Sequence, residues 1–329
     1  MPDSSVTTAA GQERQNTAAK LPPGWLSRWP WATFLLPMAV YMLVGSLEPP
    51  PPKEAPIDPP VVENAAAARS DSDQIDTRSA ANPLGANDGA GAVDRLPEAN
   101  SGSPQALAYR SYPQVYMAKI VLTLFAVALV WRGYRTFAWR ISGLSVGVGV
   151  VGVVLWIVLC HLRLEPKIIG PVDRFLGGFI PGLEEGGTPS VGLMSMLGTG
   201  ERSAFNPLKQ LADAPGWAYT FLAIRFFGLA ILVPVIEEFF LRGFLMRYVQ
   251  HEAWWKIPFG TVNRMAIIAG TLVPMLMHPG ELLASFVWFS MVTWLMVRTR
   301  SIWDCVIAHA VTNFLLGVYV VWWDQWQLM

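Results

Sequence analysis

The sequence predicts an all-α fold, a polytopic membrane helix bundle of about seven to eight transmembrane helices, and three observations carry that reading. Over its 329 residues the chain is 53% hydrophobic and only 15% charged, which is a membrane-protein composition. Apolar runs of spanning length recur along it, and the loops between them are basic. Two glutamates and an arginine stand inside one of those runs, VPVIEEFFLRGFLMR at 233–247. Ionisable side chains are costly in such a setting and mark a functional site by default. The balance of 24 basic and 24 acidic residues gives no case for nucleic acid or for a strongly charged partner.

In chain order, residues 1–30 are polar and read as a disordered tail. Residues 31–47 form the first span, within the roughly 17–25 residues a bilayer needs. A signal peptide is the weaker reading, because the polar lead is long and no A-x-A site follows. Residues 48–114, opening on Pro49–Pro52 and rich in Pro, Ala and Ser, are expected to be an extramembrane linker.

Residues 115–163 hold two spans, Val115–Trp131 and Leu144–Leu162, around a loop with Arg132, Arg135 and Arg140. Three arginines without an acid put that loop, and with it the N-terminal tail, in the cytoplasm. Residues 164–216 mix acids, glycines and prolines and are assigned to an extramembrane or interfacial connection. The last region, 217–323, begins with a run from Trp217 to about Val249 that is too long for one straight span. Pro234 lies within it and is expected to kink or break the helix. Arg264–Met277, Leu282–Val297 and Ile302–Trp323 follow, with Arg247, Lys256, Arg264, Arg298 and Arg300 suiting the cytoplasmic side. Cys160 and Cys305 sit in apolar runs without metal-ligand spacing and read as packing residues.

Glu238 and Arg242 are i and i+4, so on a helix they face one another, while Glu237 points about 100° away. One glutamate can pair with the arginine, leaving the other as a general base on water. A plain Arg–Glu packing pair is the simpler account of the motif, but it requires only one glutamate. Of the four histidines, His161 and His251 read as surface or interfacial residues. His278 ends a short apolar segment, and His309 shares a helix face with Asn313. Each alone is accounted for as a polar contact between helices. Together with Glu237 and Glu238 they make a water-activating set.

Glu237-Glu238-xxx-Arg242, a span-ending His278 and His309-xxx-Asn313 resemble the three ordered motifs of the CPBP family of intramembrane proteases. That family holds the type II CAAX prenyl endopeptidases and the bacteriocin-processing or immunity proteins. The resemblance covers 217–323, and the contexts VPVIEE, HPGE and AHAVTN are similar to its branch associated with exosortase and exopolysaccharide systems. Pro274 departs from the pattern, since the family usually has phenylalanine four residues before its histidine. The resemblance implies peptide-bond hydrolysis, with Glu237 activating water, His278 helping to hold it, His309 and Asn313 stabilising the oxyanion, and Glu238 with Arg242 orienting the motif.

Glu237, His278 and His309 would also make an acceptable ligand set for a divalent metal such as zinc; a metal-free, glutamate-activated water serves equally well. A shared site demands that helix breaks or tilts bring His278 to the glutamates, and a polar funnel is expected to reach them. The reading is thus an intramembrane endopeptidase of a membrane-associated protein or peptide, in a bacterial inner membrane with its N-terminus cytoplasmic. The alternative is a non-catalytic immunity or assembly factor that binds a protein partner through the same fold. A transporter with a midplane site is a third class, and no inverted repeat supports it.

Overall fold

Long apolar stretches in a bilayer must satisfy their backbone internally, and this chain does so almost entirely with helices. The structure, a computed structural model, describes residues 24–49, 109–162 and 205–328, together with Leu21, Leu164, Lys167 and an antiparallel pair of two-residue strands, Glu184–Glu185 and Thr188–Pro189. Of the tail expected over 1–30, residues 1–20, 22 and 23 lie outside the described residues, while Trp25–Arg28 form a helical turn; most of the 48–114 and 164–216 segments also lie outside them. The chain divides into two units, Met1–Glu48 with Tyr112–Met329, and Pro49–Ser111, and the helices that follow belong to the first.

In order they are α1 (Ala32–Gly45), α2 (Tyr112–Tyr134), α3 (Gly143–Leu162), α4 (Pro215–Tyr248), α5 (Arg264–Met277), α6 (Leu282–Thr299) and α7 (Ile302–Trp323). Five are long and apolar enough to cross a membrane, α6 counted with the 3-10 turn Pro279–Glu281 before it; α1 and α5 have only 14 residues each. At about 1.5 Å per residue those two reach roughly 21 Å, short of a hydrocarbon core of about 30 Å. Helix α2 begins earlier than hydropathy suggests, because Pro113 is tolerated in a first turn where its missing N–H costs nothing.

Pro234 does not break α4. The helix runs unbroken through two π-helical segments, Gly228–Leu232 and Phe239–Leu245. In the first, the N–H of Val233 reaches Gly228 O, five residues back. Pro234 then has no N–H to give Leu229 O in the same register. Asn313 Nδ2 on α7 donates to that carbonyl instead, at 2.9 Å. The expected break does not occur, and a neighbouring helix replaces the lost donor, as membrane bundles allow.

Helix α7 packs against α3, α4 and α6, while α1 pairs with α2, and α5 with α6 as a hairpin. Small residues set the α3 contacts: a Cβ on Gly152 would collide with the Trp288 ring, and one on Gly149 with Val311 and the Ala308 carbonyl. Thr312 Oγ1 donates to Gly149 O at 2.8 Å across the same seam. At the α7 N-terminus Ser301 caps the helix and donates to Arg140 O at 2.6 Å, and Asp304 Oδ1 accepts from Ser142 N–H at 2.7 Å. The arginine loop after α2 is thereby fastened to the start of α7.

Exposed Arg28, Arg132, Arg135, Arg140, Lys256, Arg264, Arg298 and Arg300 all fall at one end of the bundle. Arg247 is different: it is 2% exposed and donates to the carbonyls of Gly243, Trp255 and Ile257, tying down the α4–α5 loop.

Candidate active site

Glu237 and Glu238 sit on the α-helical turn Val233–Glu238 between the two π segments of α4. Widened π turns move side chains relative to a regular helix and recur at functional sites. Glu238 and Arg242 are both fully buried. Arg242 Nη1 donates to Glu238 Oε1 at 3.3 Å; Nε lies 3.2 Å from Oε2, within ion-pair range though off the hydrogen-bond axis. Arg242 Nη2 also donates to Phe289 O at 3.3 Å, and its guanidinium lies over the Phe289 ring. The pair expected from the i, i+4 spacing is present, and it fixes α4 against α6.

His309 is held by the same carboxylate, its Nδ1 3.0 Å from Glu238 Oε1. With Nδ1–H given to Glu238, the ring turns Nε2 toward Glu237, whose Oε2 lies 3.7 Å away. Glu237 Oε2 is buried without a hydrogen-bond partner, and Glu237 retains 6% of its surface where Glu238 retains none. Two polar atoms 3.7 Å apart are too far for a direct bond and can share one water at about 2.8 Å from each. The geometry therefore gives the adjacent glutamates different roles. Glu238 is committed to Arg242 and His309, while Glu237 has an unused acceptor.

His278 ends α5 as its C-cap residue, so the departure at Pro274 leaves the histidine at a helix terminus. Its Nδ1 lies 2.8 Å from Pro274 O, which orients the ring and frees Nε2. The Phe289 ring is 5.5 Å from His278 and 6.3 Å from His309, so the two imidazoles flank one phenylalanine of α6. Asn313, half-buried, spends one amide N–H on Leu229 O and keeps the second.

The zinc set Glu237, His278 and His309 is not drawn together as ligands: among the described residues no three His, Cys, Asp or Glu side chains are grouped to hold a metal ion. As placed, these residues give no three-ligand geometry for a metal, and both histidines contact the Phe289 ring.

Sequence reasoning missed several residues around this centre. Phe289 carries no polar signal, and its place is set by packing alone. Lys119 of α2, 5% exposed and paired with Glu48, stands inside a span whose hydropathy is otherwise that of an apolar run. Arg225, 4% exposed, donates to Phe205 O at 2.7 Å. The rule that singles out Glu237 applies equally to both cations.

Fold and geometry define a polytopic helical membrane protein with a buried carboxylate–imidazole centre beside a sealed ion pair. Residues 219–315 match the family described as type II CAAX prenyl endopeptidase Rce1-like. That segment is thus similar to a family of proteases, and it lies within the stretch whose motifs resemble the CPBP proteins. No curated protein and no solved structure matches the chain.

Proposed function

We propose that the chain is an intramembrane endopeptidase that hydrolyses a peptide bond of a membrane-associated protein with water activated by Glu237. The observation that carries this reading is the unpartnered Glu237 Oε2 facing His309 Nε2 across 3.7 Å. A water held between them gives its proton to Glu237 as its oxygen attacks the scissile carbonyl carbon. The carbonyl oxygen becomes an oxyanion, which His309 Nε2–H, with the ring charge balanced by Glu238, and the second N–H of Asn313 stabilise. Collapse breaks the C–N bond, Glu237 passes the proton to the leaving nitrogen, and the new carboxylic acid gives its remaining proton to the amine, so that a carboxylate and an ammonium result. Glu238 with Arg242 fixes the imidazole, and His278, held by Pro274 O and packed on the Phe289 ring, lines the surroundings of the centre.

Preorganised donors of this kind are worth about 100- to 1,000-fold in rate each. The basic end of the bundle faces the cytoplasm of a bacterial inner membrane by the positive-inside rule. Within the branch associated with exosortase systems, the substrate class is an envelope or exopolysaccharide-assembly protein. Replacing Glu237→Gln in the native host tests the reading against a purely binding role: loss of the cleaved form of a membrane protein is expected, with normal amounts of the variant in the membrane. Full biological function of that variant would instead favour an immunity or assembly factor.

A further inference from the structure

We infer that a recess beside the arginine loop, at the basic end of the bundle, binds the headgroup of an anionic phospholipid, with Arg135 and the Trp303 indole N–H as its donors. The recess belongs to the end of α2, the α2–α3 loop and the first turn of α7, and no residue of the candidate active site lines it.

Local sequence builds the recess and fixes its shape. Trp131 comes from the last turn of α2, Arg135, Phe137, Ala138 and Trp139 from the loop after it, and Trp303 from α7; the space between them is about 390 Å³. The Arg135 N–H donates to Trp131 O at 3.1 Å and Thr136 Oγ1 to Gly133 O at 2.7 Å, so the loop leaves α2 in one conformation. Its far side is fastened to α7 by the bonds of Ser301 to Arg140 O and of Ser142 N–H to Asp304. Phe137 meets Phe34, Phe239 and Phe259 at 6.1, 5.2 and 5.8 Å between centroids, and Trp139 lies 4.2 Å from Trp303. A wall already held in place lowers the ordering cost of binding.

The polar groups of the recess call for an anion. Arg135 is exposed and, like Arg132 and Arg140, has no ion pair among the described residues. No acid lines the recess, and Asp304 behind it is buried and committed to Ser142 N–H. Trp303 is 5% exposed, and its indole N–H is buried without an acceptor. Such an orphaned donor carries a cost that a ligand oxygen can relieve. A phosphate diester supplies charge for the guanidinium fork and spare oxygens for a neutral N–H.

The rest of the wall favours an amphiphile over a free anion. Four of the six lining residues are aromatic, and Trp131 and Trp139 are exposed where α2 ends, the level at which indoles mark a membrane interface. Leu129, Ile141 and Leu144, close by in sequence, are exposed apolar side chains against which acyl chains can lie. Basic pockets at the ends of spans are where anionic headgroups are held.

The full chain in a neutral detergent, with phosphatidylglycerol or phosphatidylcholine added and the lipid-bound species counted by native mass spectrometry, tests this site. Phosphatidylglycerol should bind at least about tenfold more tightly than the zwitterionic lipid, and Arg135→Gln should remove that preference, as loss of a charge-assisted contact implies. Trp303→Phe keeps a ring, deletes the N–H and should weaken binding about three- to tenfold. Arg264→Gln, on α5 and outside the recess, should change it less than about threefold, as a merely nearby surface charge does. Equal binding of the two lipids, equal losses from Arg135→Gln and Arg264→Gln, or unchanged binding by Trp303→Phe overturns the inference. Displacement of the lipid by an equal concentration of inorganic phosphate also overturns it, since that marks a site for a free anion. Should Trp303→Phe fail to assemble, Arg135→Gln, at an exposed side chain, decides alone.

Discussion

Glu238 Oε1 lies 3.0 Å from His309 Nδ1, across 71 residues of sequence, and the same oxygen accepts from Arg242 at 3.3 Å. One carboxylate oxygen thus joins the first and third motifs, and in the proposed mechanism Glu238 positions the imidazole while Glu237 is the base.

That division predicts different phenotypes for the adjacent glutamates. Glu237→Gln should leave thermal stability near wild type and reduce cleavage by at least about 100-fold, the usual contribution of a positioned general base. Glu238→Gln should lower both, because Arg242 is left buried and uncompensated. Melting in detergent beside cleavage in proteoliposomes separates the two.

Breaking the buried pair from its other side is expected to be severe. Arg242→Met strands the Glu238 carboxylate and should cost about 3–5 kcal/mol. Adding Glu238→Gln to it should restore part of that stability, read as the recovered unfolding midpoint of the double variant.

Asn313 and Pro234 should be thermodynamically coupled. Asn313→Leu leaves Leu229 O without its donor and should destabilise by about 1–3 kcal/mol. Pro234→Ala supplies a backbone N–H in the π register, so the double variant should lose less than the Asn313 variant alone. Additive losses in the cycle would contradict the replacement of the missing donor.

Two contacts away from the centre are open to simple tests. Gly152→Val drives a branched side chain into Trp288 and should destabilise by about 1–3 kcal/mol or more, as overpacking does. At the α7 C-terminus, Lys209, Trp326 and Asn206 all donate to Asp324 and hold its carboxyl below its ordinary 3.8. A depressed folded value means the tether is complete above 3.8 and is lost as pH falls from there through the folded value. The Trp326 indole N–H resonance should keep its hydrogen-bonded position at neutral pH and shift only in that acid range; Asp324→Asn should remove the transition.

Much of the bundle is legible in the sequence because hydropathy and charge act locally. The spans lie where apolar runs and arginine loops put them, and the Glu238–Arg242 pair follows from helical spacing alone. The continuity of α4 through Pro234 is not legible, because the cost of that proline depends on a donor 79 positions later, at Asn313. The meeting of His309 with both glutamates is visible only as an inventory of residue types, since spacing cannot report the 3.0 and 3.7 Å contacts that set their separate roles. Lys119 is masked by the apolar run around it, although an intramembrane lysine carries the same signal as an intramembrane glutamate. Phe289 meets both histidines through tertiary packing, which no pattern of polar residues announces.

The central claim is that Glu237 activates the water that cleaves a peptide bond. Its most direct test is to incubate wild type and Glu237→Gln, each in proteoliposomes with membrane proteins from the native host, in water enriched in oxygen-18. Mass spectrometry then reads the new C-termini. The wild type should produce new termini carrying one heavy oxygen, and the variant none above background. Equal termini from both proteins, or none from either, would contradict the account.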